Sequence, residues 1–257
     1  MKTKQILIAL GALLVLSGCS RTLTPGTETI RLTACTESDT RATIDADSGE
    51  FAWETGDAVA VHLSSGYATA ALATDGTFVL TVPSGTTRNG YAIYPASAAA
   101  GTASAPEVSL PATYSIVGDL QSESVPLPMV AVNDPNRDIL YFHHVGGLMQ
   151  ITVTTVPVGT KTVSVTLDKG VTGDFTIADP ATLTPTTAPG SSSSTVTFTV
   201  SADGLDAAAS NLVLNLPVPC GTYTSMTVAL SPSGTSKTLT DNMVIGRAQG
   251  LKVKVTP

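Results

Sequence analysis

Aromatic side chains are scarce in this 257-residue chain, at 5% of the total with a single Trp. The tyrosines Tyr67, Tyr91, Tyr94, Tyr114, Tyr141 and Tyr223 are spread singly, so no run of rings offers a ready carbohydrate-stacking platform; only folding could gather one. Charge is thin as well, at 13%, and the 13 Lys and Arg residues are scattered. A nucleic-acid binder needs clustered basic groups to displace counterions, so that class of partner is excluded. Three cysteines do not make a disulfide framework. The chain has no Gly-x-Ser-x-Gly elbow, phosphate loop or zinc signature. Its apolar run at residues 6–16 is too short to span a bilayer.

The three histidines do not supply a metal site. His62 falls on the opposite face of its strand from Val61 and Leu63, and His143 and His144 are neighbours that a strand must send to opposite faces. Companion ligands at metal-site spacing are missing. Asp45, Asp47 and Asp57 stand in Ser-Gly or Gly contexts and read as turn residues. No catalytic residue, metal or cofactor is expected, and the chain does not read as an enzyme.

What is present begins with an export signal. Lys2 and Lys4 precede the apolar run at 6–16, which is signal-peptide architecture. Leu16-Ser17-Gly18-Cys19 resembles the lipobox of bacterial lipoproteins. That resemblance implies removal of residues 1–18, lipidation of Cys19 and an outer-membrane lipoprotein at the cell surface. Each buried methylene of such an anchor adds roughly 0.8 kcal/mol of membrane affinity. Losing Lys2 and Lys4 with the signal leaves 11 basic against 20 acidic residues, a net charge of −9. An acidic surface favours solubility and says little about specificity.

Residues 19–27, with Pro25 and Gly26, read as a polar tether. Then Ile30, Leu32 and Ala34 alternate with Thr29, Arg31 and Thr33, a period-two pattern for a strand with one face on a core. The same grammar runs through residues 78–82, 163–167, 212–216 and 226–230. It ends with Leu251, Val253 and Val255, alternating with Lys252 and Lys254. No sustained helical stripe competes, although residues 205–210 could make one turn. The pattern predicts antiparallel strands in an all-β sandwich.

The polar, turn-rich segment Asn133-Asp134-Pro135-Asn136-Arg137-Asp138 is the expected boundary between an N-terminal β-sandwich at 28–134 and a C-terminal one at 138–257. Residues 96–105 and 178–194 read as long loops. Trp53, alternating with Phe51, is expected in the core rather than on the surface. If Cys19 is lipidated, Cys35 and Cys220 remain, expected as two free, mostly buried thiols.

Phe51-Ala52-Trp53-Glu54-Thr55-Gly56-Asp57 followed by an alternating strand is similar to the fimbrillin family of type V pili and related surface lipoproteins. Tyr91-Ala92-Ile93-Tyr94-Pro95, Phe142-His143-His144-Val145-Gly146-Gly147-Leu148, Val171-Thr172-Gly173-Asp174-Phe175 and Pro219-Cys220-Gly221-Thr222-Tyr223 extend the resemblance in order, and the run 247–255 closes it. The resemblance implies two tandem transthyretin-like antiparallel β-sandwich domains. It also implies assembly with other pilus subunits by strand exchange, after a trypsin-like cut behind an arginine removes the first strand. Arg41 fits that cut, since it follows the strand of Ile30, Leu32 and Ala34 within a polar stretch. Leu251, Val253 and Val255 form the candidate donor or closing strand. Only Thr256 and Pro257 follow it here, so a tip, minor or anchored subunit is expected as much as a shaft subunit. The resulting expectation is a non-enzymatic adhesive pilus component with a host protein or glycan receptor. The competing one is a surface lipoprotein that binds glycans through a β-sandwich and shows neighbouring exposed aromatics.

Overall fold

The computed structural model describes residues 26–36, 53–117, 120–123, 126–177, 185–187 and 192–257. Cys19, Arg41 and the Asp45–Asp47 turn lie outside them. In chain order the strands are β1 (Thr27–Thr36), β2 (Ala58–Leu63), β3 (Gly66–Leu72), β4 (Thr77–Pro83), β5 (Arg88–Tyr94), β6 (Ala99–Gly101) and β7 (Pro106–Leu110). They continue with β8 (Thr113–Val117), β9 (Gln121–Ser122), β10 (Met129–Val132), β11 (Ile139–His144), β12 (Gly146–Val156), β13 (Thr162–Leu167), β14 (Gly173–Ile177) and β15 (Pro185–Thr187). The last are β16 (Thr195–Thr199), β17 (Ala209–Pro219), β18 (Gly221–Tyr223), β19 (Met226–Ser231), β20 (Ser236–Leu239), β21 (Met243–Ile245) and β22 (Gly250–Val255). The chain is all-β, as its period-two pattern predicts.

Two features differ from a pair of antiparallel sandwiches. First, β1, β11, β10, β5, β2, β3 and β4 close into a barrel, which leaves no free edge among them. Second, β1 runs parallel to β11, β22 to β12, β16 to β8 and β17 to β9. Alternation of apolar and polar residues is the same in either direction, so it cannot distinguish the two ladders.

Inward rows fill the barrel: Leu32, Val59, Val61, Phe78, Leu80, Leu140 and Phe142 are buried together. A second core joins the inward rows of β13, β16 and β19 to those of β12 and β17, all members of one long sheet ordered β20-β19-β13-β16-β8-β9-β17-β12-β22. A third, smaller core lies where the barrel's outer face, through Ile93 and Val130, meets Val108, Leu110, Phe175 and Ile177 of β7 and β14.

The Asn133–Asp138 turn connects β10 to β11, which pair with each other in the barrel. The chain passes from barrel to long sheet at Val145, after β11. Conversely, β7 pairs with β14, and β8 with β16, so residues 106–117 join strands from far later in the chain. Residues 96–105 are not a plain loop: a 3-10 turn (Ala96–Ala98) leads into β6, which pairs with β7. Residues 205–208 form no helical turn.

Candidate functional site

β1 holds the candidate site. Its inner row sits as the alternation predicts: Leu32 is fully buried, and Ile30 and Ala34 are partly buried against the same core. Leu32 pairs with Phe78 and Ile30 with Leu80 on β4, while Ala34 pairs with Leu140 on β11. A single strand therefore closes the barrel, antiparallel to one neighbour and parallel to the other. Its outer row is weakly held. Arg31 meets Asp75 at 2.9 Å with both side chains more than half exposed, a solvent-screened type of ion pair that adds little to stability. Hydrogen bonds from Thr77 to the Asp75 carboxylate, with a smaller contribution from Arg31, hold Asp75 below the usual carboxylate range.

Three of the resemblance motifs meet at this barrel. Trp53 packs edge-on against Phe78 (4.9 Å between centroids), Tyr94 (5.1 Å) and Phe142 (5.8 Å), so it belongs to the core and not to a binding platform. Asp57 forms the expected turn, accepting the Glu54 amide at 2.8 Å. It also accepts the Tyr94 hydroxyl at 2.7 Å, and burial followed by that hydrogen bond pushes the phenol far above its ordinary range. Residues from three separate motifs thus share one packed cluster.

His143 and His144 face opposite ways, as a strand requires: His143 is half-buried and His144 fully buried. Neither His144 ring nitrogen makes a full hydrogen bond. Desolvation pushes the imidazole down to about 4, Arg247 adds to that, and the Pro128 backbone only partly offsets it. The folded state therefore favours the neutral ring, while the unfolded chain takes up a proton near pH 6.5. This contribution to stability is whole above pH 6.5 and is lost as pH falls toward 4. A pKa gap of that size corresponds to about 3 kcal/mol. Denaturant titrations at pH 6.5 and pH 4 are expected to show that much less acid loss in His144→Leu than in the wild type; equal losses would refute the assignment.

Among the described residues β22, the candidate donor or closing strand, pairs only with β12 and lies at the edge of the long sheet. Leu251 and Val253 are partly buried and Val255 is buried on the second core, while Lys252 and Lys254 are exposed. Exposed lysines on an edge strand discourage uncontrolled pairing. Cys35 and Cys220 are free, but both are partly exposed rather than mostly buried, because each stands on the outward row of its strand or at its end. Among the described residues no group of His, Cys, Asp and Glu could hold a metal ion.

One structural centre escapes the sequence. Arg88 is buried, donating to the Arg137 carbonyl (2.8 Å), the Asp138 carboxylate (3.0 Å) and Asn133 Oδ1 (3.3 Å). Asn133 is buried too and donates through Nδ2 to the His62 and Asn89 carbonyls at 2.7 and 3.0 Å. These bonds fasten the Asn133–Asp138 turn to the barrel.

No family model matches the chain, and no curated protein matches it. Among solved structures, a candidate cell-adhesion protein from Bacteroides ovatus aligns with a TM-score of 0.55 at 11% identity, covering 90% of this chain and 92% of its own. This chain shares that protein's fold. A candidate cell-adhesion protein from Bacteroides uniformis aligns at a TM-score of 0.44 and 17% identity, covering 89% of this chain and 93% of its own. A fimbrial protein from Bacteroides ovatus aligns at 0.33 and 11% identity, covering 88% of this chain and half of its own.

Proposed function

We propose that this chain is a fimbrillin-like structural protein of the cell surface, a tip, minor or anchored pilus component that assembles by strand exchange. The observation that carries the reading is β1, one strand that completes a barrel between β4 and β11 with a single fully buried side chain, Leu32. Withdrawing it would expose two strand edges and an apolar slot, the arrangement that accepts an added strand through backbone hydrogen bonds and alternate side chains. The shared fold of a candidate adhesion protein fits a surface role. On this reading Cys19 carries lipid to the outer membrane, and cleavage after Arg41 frees β1. Two sandwich-like units then remain, and β22 either closes its own sheet or enters a neighbour's slot.

Mass spectrometry of the amino terminus in protein from intact cells tests the route. A terminus at Ala42 supports processing and exchange. An acylated Cys19 with β1 retained makes the chain a permanently anchored lipoprotein and overturns the exchange mechanism.

A further inference from the structure

Half of the exposed large apolar side chains among the described residues, namely Val132 (60% exposed), Tyr141 (54%) and Ile139 (42%), border one groove on the barrel's outer face. The groove arises from the register. β10 pairs with β11 only at Met129–His144 and Val130–His143, whereas β11 pairs with β1 from Ile139 to Phe142. Extending the β10–β11 register would set Val132 opposite Tyr141. Instead the two strands part, and a space of about 250 Å³ opens between them.

Tyr91 pairs with Val132 from the other side, so Tyr91 and Tyr141 flank the valine on one face of the sheet. The same groove is lined by Asp134, Arg137 and His143. The polar rim is held in place: Arg88 grips the Arg137 carbonyl, Asp134 accepts the Asn136 amide at 2.9 Å, and the Arg137 guanidinium lies 3.5 Å from the Asp134 carboxylate. Burial, aided by Arg247, lowers the His143 pKa and favours the neutral ring.

We propose that this groove binds a neutral hexopyranose unit of a glycan. A pyranose ring has an apolar C–H face and a rim of hydroxyls, and each demand is met here. Tyrosine offers a flat apolar body with a polar tip, a carboxylate accepts hydrogen bonds from hydroxyls, and a guanidinium fork donates to adjacent oxygens. The volume lies just below the roughly 300 Å³ at which pockets for drug-sized ligands begin, which suits one ring. The fixed turn means little ordering cost on binding. Arg137 disfavours a cationic guest in an aromatic cage, and Asp134 on a chain of net charge −7 disfavours an anionic one. The site contains no residue of β1 or β22, although Ile139 and Tyr141 lie on the strand that pairs with β1.

The test is an array of defined neutral gluco-, galacto-, manno- and xylo-oligosaccharides probed with the whole mature chain, followed by calorimetric titration of each hit. At least one saccharide is expected to bind, Tyr141→Ala to weaken it about tenfold or more, Arg137→Ala to weaken it as well, and Tyr141→Phe to retain most of the affinity. Both side chains are largely exposed, so these variants should fold. The proposal is overturned if no neutral saccharide binds, if binding survives Tyr141→Ala, or if choline binds more tightly than every saccharide.

Discussion

Leu32→Asp is expected to cost more than about 4 kcal/mol of folding stability and to open the barrel. Leu32 is fully buried among Phe78, Leu80, Leu140 and Phe142. Truncating a buried leucine alone costs roughly 2–5 kcal/mol through lost transfer energy and the cavity left behind. The substitution also places a carboxyl group in an apolar core with no partner, so it must either stay charged at high cost or take up a proton. Thr29→Asp, on the exposed row of the same strand, should change stability by no more than about 0.5 kcal/mol. Chemical denaturation of the two variants makes the comparison. Because the loss falls on the strand that closes the barrel, a synthetic peptide of residues 27–36 should bind the Leu32→Asp protein and not the wild type. If the peptide binds neither, the slot collapses when β1 leaves, and strand exchange is the wrong mechanism.

The same strand shows how far the sequence could be read. Ile30, Leu32 and Ala34 announce a one-sided strand, as do the branched and leucine-rich runs of β4, β13, β17 and β19, because a period of two needs only neighbours in the chain. Which strand lies beside it is a non-local fact. β1 meets β11 more than a hundred residues later, in parallel, and alternation is silent about both partner and direction. Small residues hide strands for a different reason. β3 (GYATAAL) and β6 (AAG) bury little per residue, so their apolar signal is weak, although both pair fully in their sheets. The Asn133–Asp138 turn has the composition of a linker, and a tight hairpin has that composition too; Arg88, reaching in from β5, and the bonds of Asn133 make it a fixed part of the barrel. Tyr91 and Tyr141 are fifty residues apart and line one groove only because β5, β10 and β11 are brought side by side in the barrel.

Gly147→Ala carries the second large expectation, and it bears on the other end of the chain. Gly147 follows the barrel and opens β12, where the turn that leads into β22 crosses close above it. A Cβ at Gly147 would stand 2.6 Å from both the Gly246 and Gln249 carbonyl oxygens and 2.7 Å from an Ile245 methyl. Two of those three atoms are backbone, and the turn is pinned by the Leu148 amide to the Gln249 carbonyl and the Ala248 amide to the Gly146 carbonyl, both at 2.9 Å. The turn must therefore shift as a unit, and the cost falls at the upper end of overpacking, about 3 kcal/mol. The damage should be local at first. Hydrogen exchange is expected to show the amides of residues 250–255 losing protection while those of β13 and β19 keep theirs. Lys252→Ala, on the exposed row of β22, should leave both stability and exchange unchanged. If Gly147→Ala loosens β22 in this way, the close approach at Gly147 is what holds the last strand to its own sheet, and the variant provides a chain whose β22 is free to be tested as a donor. If it melts like the wild type, the turn yields without cost and β22 is held by its ladder to β12 alone.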